Sequence, residues 1–272
     1  MSFEQRGPMP LTYEPVSYPG SVLRFRGPAS AMEAPYILCL GGSETFGRFI
    51  HAPYATQLAE KLPHTVVNMG VMNAGLDVLM HDPAIIGATR NAAAVVLQIT
   101  GAQNISNRLY GVHPRRNDRF VKTTAMLRTI YRDVDFTEFH FTRHLLSHLQ
   151  GLSAERFGIV IAELRVAWMA RMRSLLCEID VPVHLLWLAR HHPDDPVQTG
   201  TLGPDPLFIT PDMLAEVRAM AASLSIISPS DTQMAQSTRG MFFAAREEAA
   251  ARALPGPDLH DRAATALLPL LS

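Results

Sequence analysis

Cysteine is nearly absent: the 272 residues hold two, Cys39 and Cys177. Two thiols exclude the dense disulfide framework of a small secreted scaffold. Cys39 sits in an apolar run and Cys177 in a helical pattern, so both are expected as reduced core thiols. No cysteine–histidine spacing of the zinc-binding kind occurs, and no metal or other cofactor is expected. No apolar run approaches the ~18 residues that a bilayer span needs. The N-terminal stretch has neither a basic start nor an apolar core, so a secretory signal is not expected and the cytoplasm is. Charge of one sign is missing too, since 24 Lys+Arg stand against 25 Asp+Glu for a formal net charge of -1. Neither nucleic acid nor a membrane surface is therefore expected as a partner. The chain also lacks internal repeats, a G-x-G-x-x-G turn, a P-loop and a G-x-S-x-G elbow.

What remains is an ordinary globular balance, 47% hydrophobic and 18% charged, in a length that suits one α/β domain. After a Pro- and Gly-rich extension over residues 1–35, short apolar runs alternate with helical stretches. The runs 36–40, 65–68, 93–99, 183–188 and 224–227 lack polar alternation and read as buried parallel strands. Helices are expected over about 53–62, 76–90 with a break at Pro83, 153–179 capped by Ser153, from Thr210-Pro211, over 240–254, and from about His260 to the end. The region 101–150 reads as irregular. Five such strands separated by helices predict a parallel sheet covered on both faces, with its functional crevice beyond the carboxyl ends of the strands.

Three of those ends, and the start of the last helix, carry small or polar residues. Gly41-Gly42-Ser43 follows the first strand, where small residues permit a sharp turn and leave the Ser43 hydroxyl at the crevice mouth. Gly75 follows the second strand, and Gly101-Ala102-Gln103-Asn104 the third, where a side-chain amide is suited to an oxyanion. Asp258-Leu259-His260 opens the last helix, from which an imidazole could reach Ser43 as its base. Taken singly, each reads as a tight turn, a loop glycine, a turn asparagine and a helix cap with a surface histidine.

Together, a Ser, a Gly, an Asn and a His in this order resemble the conserved blocks of the SGNH (GDSL-type) hydrolases. Tyr36–Gly47 resembles the first block with GGS in place of GDS, Asn68–Gly75 the second, Val95–Asn104 the third, and Asp258–His260 the last. The resemblance covers about 36–272 and implies a three-layer α/β/α domain with a five-stranded, mostly parallel, flavodoxin-like sheet and an insertion at about 104–150. It implies a serine esterase or O-acyl-transfer enzyme acting on a small-molecule or glycan ester. Ser43 would be the nucleophile, His260 the base and Asp258 its orienting acid. The Ser43 and Gly75 N–H groups and the Asn104 side chain would hold the oxyanion.

Three departures bear on that mechanism. Gly42 stands where the motif has aspartate, Gln103 rivals Asn104 in the third block, and Asp258 precedes His260 by two residues where the family has three. The other reading is a catalytically inactive domain of the same type that binds a glycan or a protein partner in that crevice. Elsewhere, His191-His192-Pro193-Asp194-Asp195 reads as a loop lining the crevice. Arg108, His113, Arg115, Arg116 and Arg119 read as a solvated cluster or an anion site. Phe136, Phe139, Phe141, His140, His144 and His148 read as a lid or an oligomer contact.

Overall fold

The computed structural model describes residues 10–196, 200–230 and 238–272. The first nine residues of the expected extension and residues 197–199 of the proline-rich loop lie outside it. Five parallel strands, β1 (Tyr36–Gly41), β2 (Thr65–Gly70), β3 (Ala92–Gln98), β6 (Val183–Leu188) and β7 (Ser223–Ile227), form one sheet in the order β2-β1-β3-β6-β7. This is the flavodoxin-like order, with its topological switch point beside β1. All five lie where the apolar runs predict them. The burial that the sheet demands on two faces is what makes those runs continuous: every residue of β1 and β6 is buried.

The sheet separates two apolar layers. Leu38, Leu40, Val67, Val95, Leu97, Leu185 and Trp187 pack on one face beneath α3 (Leu76–His81), α4 (Pro83–Thr89) and α7 (Ala154–Glu178). Ile37, Cys39, Val66, Val96, Leu186 and Leu188 pack on the other, under α2 (Tyr54–Lys61) and the C-terminal helix α10 (Pro257–Leu271). Pro83 divides the expected 76–90 helix into α3 and α4, and Asp82 between them caps α4 by accepting from the Ala84 and Ile85 N–H groups. Ser153 caps α7 through the Arg156 N–H, and Thr210 caps α8 (Pro211–Arg218) through the Met213 N–H, as expected.

Several expectations are corrected. The 101–150 region is ordered: it holds the antiparallel ribbon β4 (Tyr110–His113) and β5 (Arg116–Thr123), then α5 (Ala125–Ile130) and α6 (Thr142–Leu152). Of the 240–254 helix only a 3-10 turn at Ala245–Glu247 and α9 (Glu248–Arg252) form. Cys177 is exposed rather than a core thiol; Cys39 is buried, and burial pushes its thiol up to about 12. Among the described residues no helix is long and apolar enough to cross a membrane.

Residues 10–35 lie along the domain. Val16 and Phe25 pair as an antiparallel bridge, with N–H to carbonyl distances of 3.0 and 2.9 Å. Tyr18, Leu23 and Phe25 join the main core, and the Arg26 guanidinium donates to the carbonyls of Gly47 and His51, each at 2.8 Å. Because Phe25 is fully buried, Phe25→Ala is expected to destabilise the protein by about 3–5 kcal/mol, read as a lowered urea midpoint. A midpoint within error of the wild type would mean that this segment packs only loosely.

Candidate functional site

The turn after β1 is organised by one side chain that the motif reading passed over. Gln98, the last residue of β3, presents Oε1 to three donors: the Gly42 N–H at 2.9 Å, the Thr45 N–H at 3.2 Å and the Thr45 hydroxyl at 2.7 Å. Its Nε2 donates to Glu44 Oε2 at 2.7 Å, so both ends of the amide are engaged. A Cβ on Gly41 would collide with Thr45 Oγ1 and with Gln98 itself, which requires glycine there. The short helix α1 (Ser43–Phe46) follows. A glutamine closing an otherwise apolar strand is the sequence signal that marks this position.

Ser43 is buried, and a single residue clasps its hydroxyl. The Oγ donates to Asn73 Oδ1 at 3.2 Å and accepts from the Asn73 N–H at 3.0 Å. Asn73 does both by adopting a left-handed backbone, φ 59°, which asparagine tolerates better than most residues. Its Nδ2 donates to Asp118 Oδ2 at 3.2 Å. Asp118 belongs to the ribbon, so the insertion supplies the third member of a Ser43–Asn73–Asp118 chain. Burial pushes the Asp118 carboxyl above its ordinary range, against the opposing charges of Arg116 and Arg119.

A cavity of about 180 Å³ opens here, lined by Gly42, Ser43, Glu44, Arg48, Asn73, Gln98, Thr100, Gln103, Asn104 and Asp205, among others. A second space of about 310 Å³ adjoins it, sharing Asn73, Gln103, Asn104 and Asp205 and adding Asp118, Thr142 and Arg143. The crevice therefore lies where the sheet topology predicts. Gly42, Ser43, Gln103 and Asn104 come together in it.

The rest of the expected catalytic set is not assembled. His260 is fully buried one turn inside α10, which begins at Pro257, three residues before the expected start. Its Nδ1 accepts from the Tyr54 N–H at 3.2 Å, and its ring stacks on Tyr54 at 6.1 Å. An Nδ1 that accepts leaves the proton on Nε2, the nitrogen that would have to take one from serine. Burial, with a smaller contribution from the Arg26 charge, pulls the imidazole down to about 3. His260 does not line the cavity. Asp258 is exposed and its charge acts on Arg190; no hydrogen bond joins it to His260 among the described residues. The Gly75 N–H is also spoken for, since it donates to Asn117 Oδ1 at 3.0 Å, which accepts from Val78 as well. Asn104 Oδ1 accepts from the Thr142 hydroxyl at 2.7 Å.

The chain contains eleven histidines, all within the described residues, and none lines the Ser43 cavity. Among the described residues no cluster of metal-ligating side chains forms. Of the basic cluster, Arg108 pairs with Glu163 and Arg119 lies over the Phe141 ring. His144 and His148 flank Phe139.

A family model described as "Domain of unknown function (DUF6473)" matches residues 1–272. The chain belongs to the DUF6473 family. No curated protein matches it. Among solved structures, this DUF6473 member is similar to the lipase Lip_vut3 from a goat rumen metagenome, at 13% identity and a TM-score of 0.41, over 85% of this chain and 97% of that one.

The buried imidazole makes a pH prediction. A histidine whose folded-state pKa is depressed takes up its proton more readily when unfolded, so stability falls as pH drops from about 6.5 towards 3. The slope reaches ~1.4 kcal/mol per pH unit inside that window. His260→Phe keeps a ring on Tyr54 and is expected to flatten that part of the profile, measured by urea unfolding between pH 4 and 7. An unchanged slope in the variant would show that His260 is not held neutral by burial.

Proposed function

We propose that the crevice is a binding site for a small polyhydroxylated ligand and that Ser43 serves there as an anchor rather than a nucleophile. The observation that carries this reading is a set of buried oxygens left without partners. Thr100 and Gln103 line the Ser43 cavity and Asp118 lines the space beside it; Thr100 Oγ1, Gln103 Oε1 and Asp118 Oδ1 are each buried there with no hydrogen bond among the described residues. Buried polar atoms are nearly always paired. Three that are not, around one crevice, constitute a demand for hydrogen-bond donors.

The ligand's chemistry follows from the lining. Glu44 and Asp205 add carboxylates, and burial pushes Glu44 up, with the Asp205 charge adding to the shift. The lining cations are already paired, Arg48 with Glu247 at 3.2 Å and Arg143 with Asp205 at 3.6 Å. Hydroxyl groups supply donors to this surface without bringing a charge into it. The volume lies below the range of ~300–1,000 Å³ typical of drug-sized ligands, which suits a single small sugar ring or a short polyol.

Ester hydrolysis at Ser43 is the second reading. It is favoured by the position of the hydroxyl at the carboxyl end of β1, on the wall of the crevice. It needs a base, and the described histidines offer none there.

Thr100→Val replaces an unpaired hydroxyl with a methyl of the same shape. It is expected to leave stability unchanged or raise it by up to about 1–2 kcal/mol. Saturation-transfer NMR against a panel of monosaccharides and linear polyols is expected to show binding to the wild type and a loss of at least tenfold in affinity in Gln103→Met. No binding by any panel member, or a Thr100→Val variant less stable than the wild type, would count against the proposal.

A further inference from the structure

A second cavity, of about 260 Å³, shares Pro206 with the Ser43 cleft and is otherwise separate from it. Its wall is mainly apolar, with Ile161, Leu202, Phe208 and Ile209 among its lining, and it carries three nitrogen-bearing side chains, Arg165, His191 and Gln150, the last donating to the Thr201 carbonyl at 3.0 Å. We infer that this cavity binds a small aromatic carboxylate, its ring among the apolar side chains and its carboxylate on Arg165. This site is independent of the Ser43 reading.

Three observations support it. The first is size and lining. An apolar cavity of ~150 Å³ accepts benzene, so this one has room for a ring with a substituent. The second is a pair of polar side chains held in place at the wall, one of them with a buried nitrogen that has no partner. The His191 ring stands edge-on to Trp187 at 5.1 Å, and the Trp187 Nε1–H donates to the His191 carbonyl at 2.9 Å. With backbone and ring both fixed, His191 Nδ1 is buried without a partner. Arg165 is held at the wall by its Nε, which donates to the Phe208 carbonyl at 3.0 Å. Its terminal amino groups meet no acceptor among the described residues, and they present the fork that a carboxylate accepts. Asp195 also lines the cavity, but its carboxylate accepts from the His192 N–H at 2.7 Å and so is anchored to its own loop.

The third is strain. Phe208 has φ 67°, a left-handed backbone that a bulky aromatic residue rarely adopts. The conformation is fixed from both sides: the neighbouring Leu207 carbonyl accepts from the Ala102 N–H at 3.0 Å, and the Phe208 ring packs edge-on to Phe157 at 6.0 Å. Non-glycine residues held in this region cluster at ligand clamps. Here the strained residue supplies both an apolar wall and the carbonyl that orients Arg165.

Titration with 4-fluorobenzoate and with 4-fluorotoluene, followed by ¹⁹F NMR on the full chain, tests the inference. The benzoate is expected to bind the wild type at millimolar concentration or below. Arg165→Met, at an exposed position, is expected to weaken the benzoate at least tenfold and the toluene by less than twofold. Leu202→Trp, which fills the cavity, is expected to abolish both. No shift of the benzoate signal up to 10 mM, or binding unchanged by Leu202→Trp, overturns the site. Equal loss of both ligands in Arg165→Met, or no loss of either, overturns the carboxylate assignment.

Discussion

One amide oxygen fixes the geometry on which the crevice depends. Gln98 Oε1 gathers two backbone N–H groups and a hydroxyl from the turn after β1, while its nitrogen holds Glu44. A buried amide satisfied on both sides is far more restrictive than an apolar contact, because rotating it would strand all four partners at once. The turn is tied to the end of β3, the central strand of the sheet. Ser43, Glu44 and Gly42 inherit their positions from that bond.

The insertion completes what the sheet begins. Asn117 and Asp118, adjacent on β5, alternate to opposite sides of the strand. The first caps α3 by accepting from Gly75 and Val78, and the second holds the Asn73 side chain that clasps Ser43. The same ribbon thus occupies the Gly75 donor that an oxyanion would use and immobilises the hydroxyl that would attack. On the other face of the sheet, His260 serves the contact between α10 and α2, taking the Tyr54 N–H into an apolar layer. His260 and the Gly75 N–H are each committed to structure, and the residues that carry unpaired buried polar atoms line the cavities.

The sheet was legible because a parallel strand buried on both faces must be apolar throughout, which separates it from amphipathic helices even in short windows. Pro83 and Ser153 were legible because their effects are local, through a missing N–H and a capping hydroxyl. The ribbon was not: β5 reads Arg-Asn-Asp-Arg-Phe-Val-Lys-Thr, half exposed, and nothing local distinguishes it from a solvated loop. Asn73 and Gln98 escaped notice because their roles exist only once residues 30 to 56 positions distant meet them. The burial of His260 turns on a helix boundary. Starting α10 at Pro257, where proline is pre-organised for the first turn, carries residue 260 inward by about a turn and turns a rim histidine into a core one.

The central claim is that the Ser43 hydroxyl is anchored by Asn73 and lacks a base. Its most direct test is exposure of the folded protein to a fluorophosphonate probe, followed by intact-mass and peptide mass spectrometry. No adduct on Ser43 is expected under conditions that fully label an active serine hydrolase. Stoichiometric modification of Ser43, abolished in Ser43→Ala, would contradict the account.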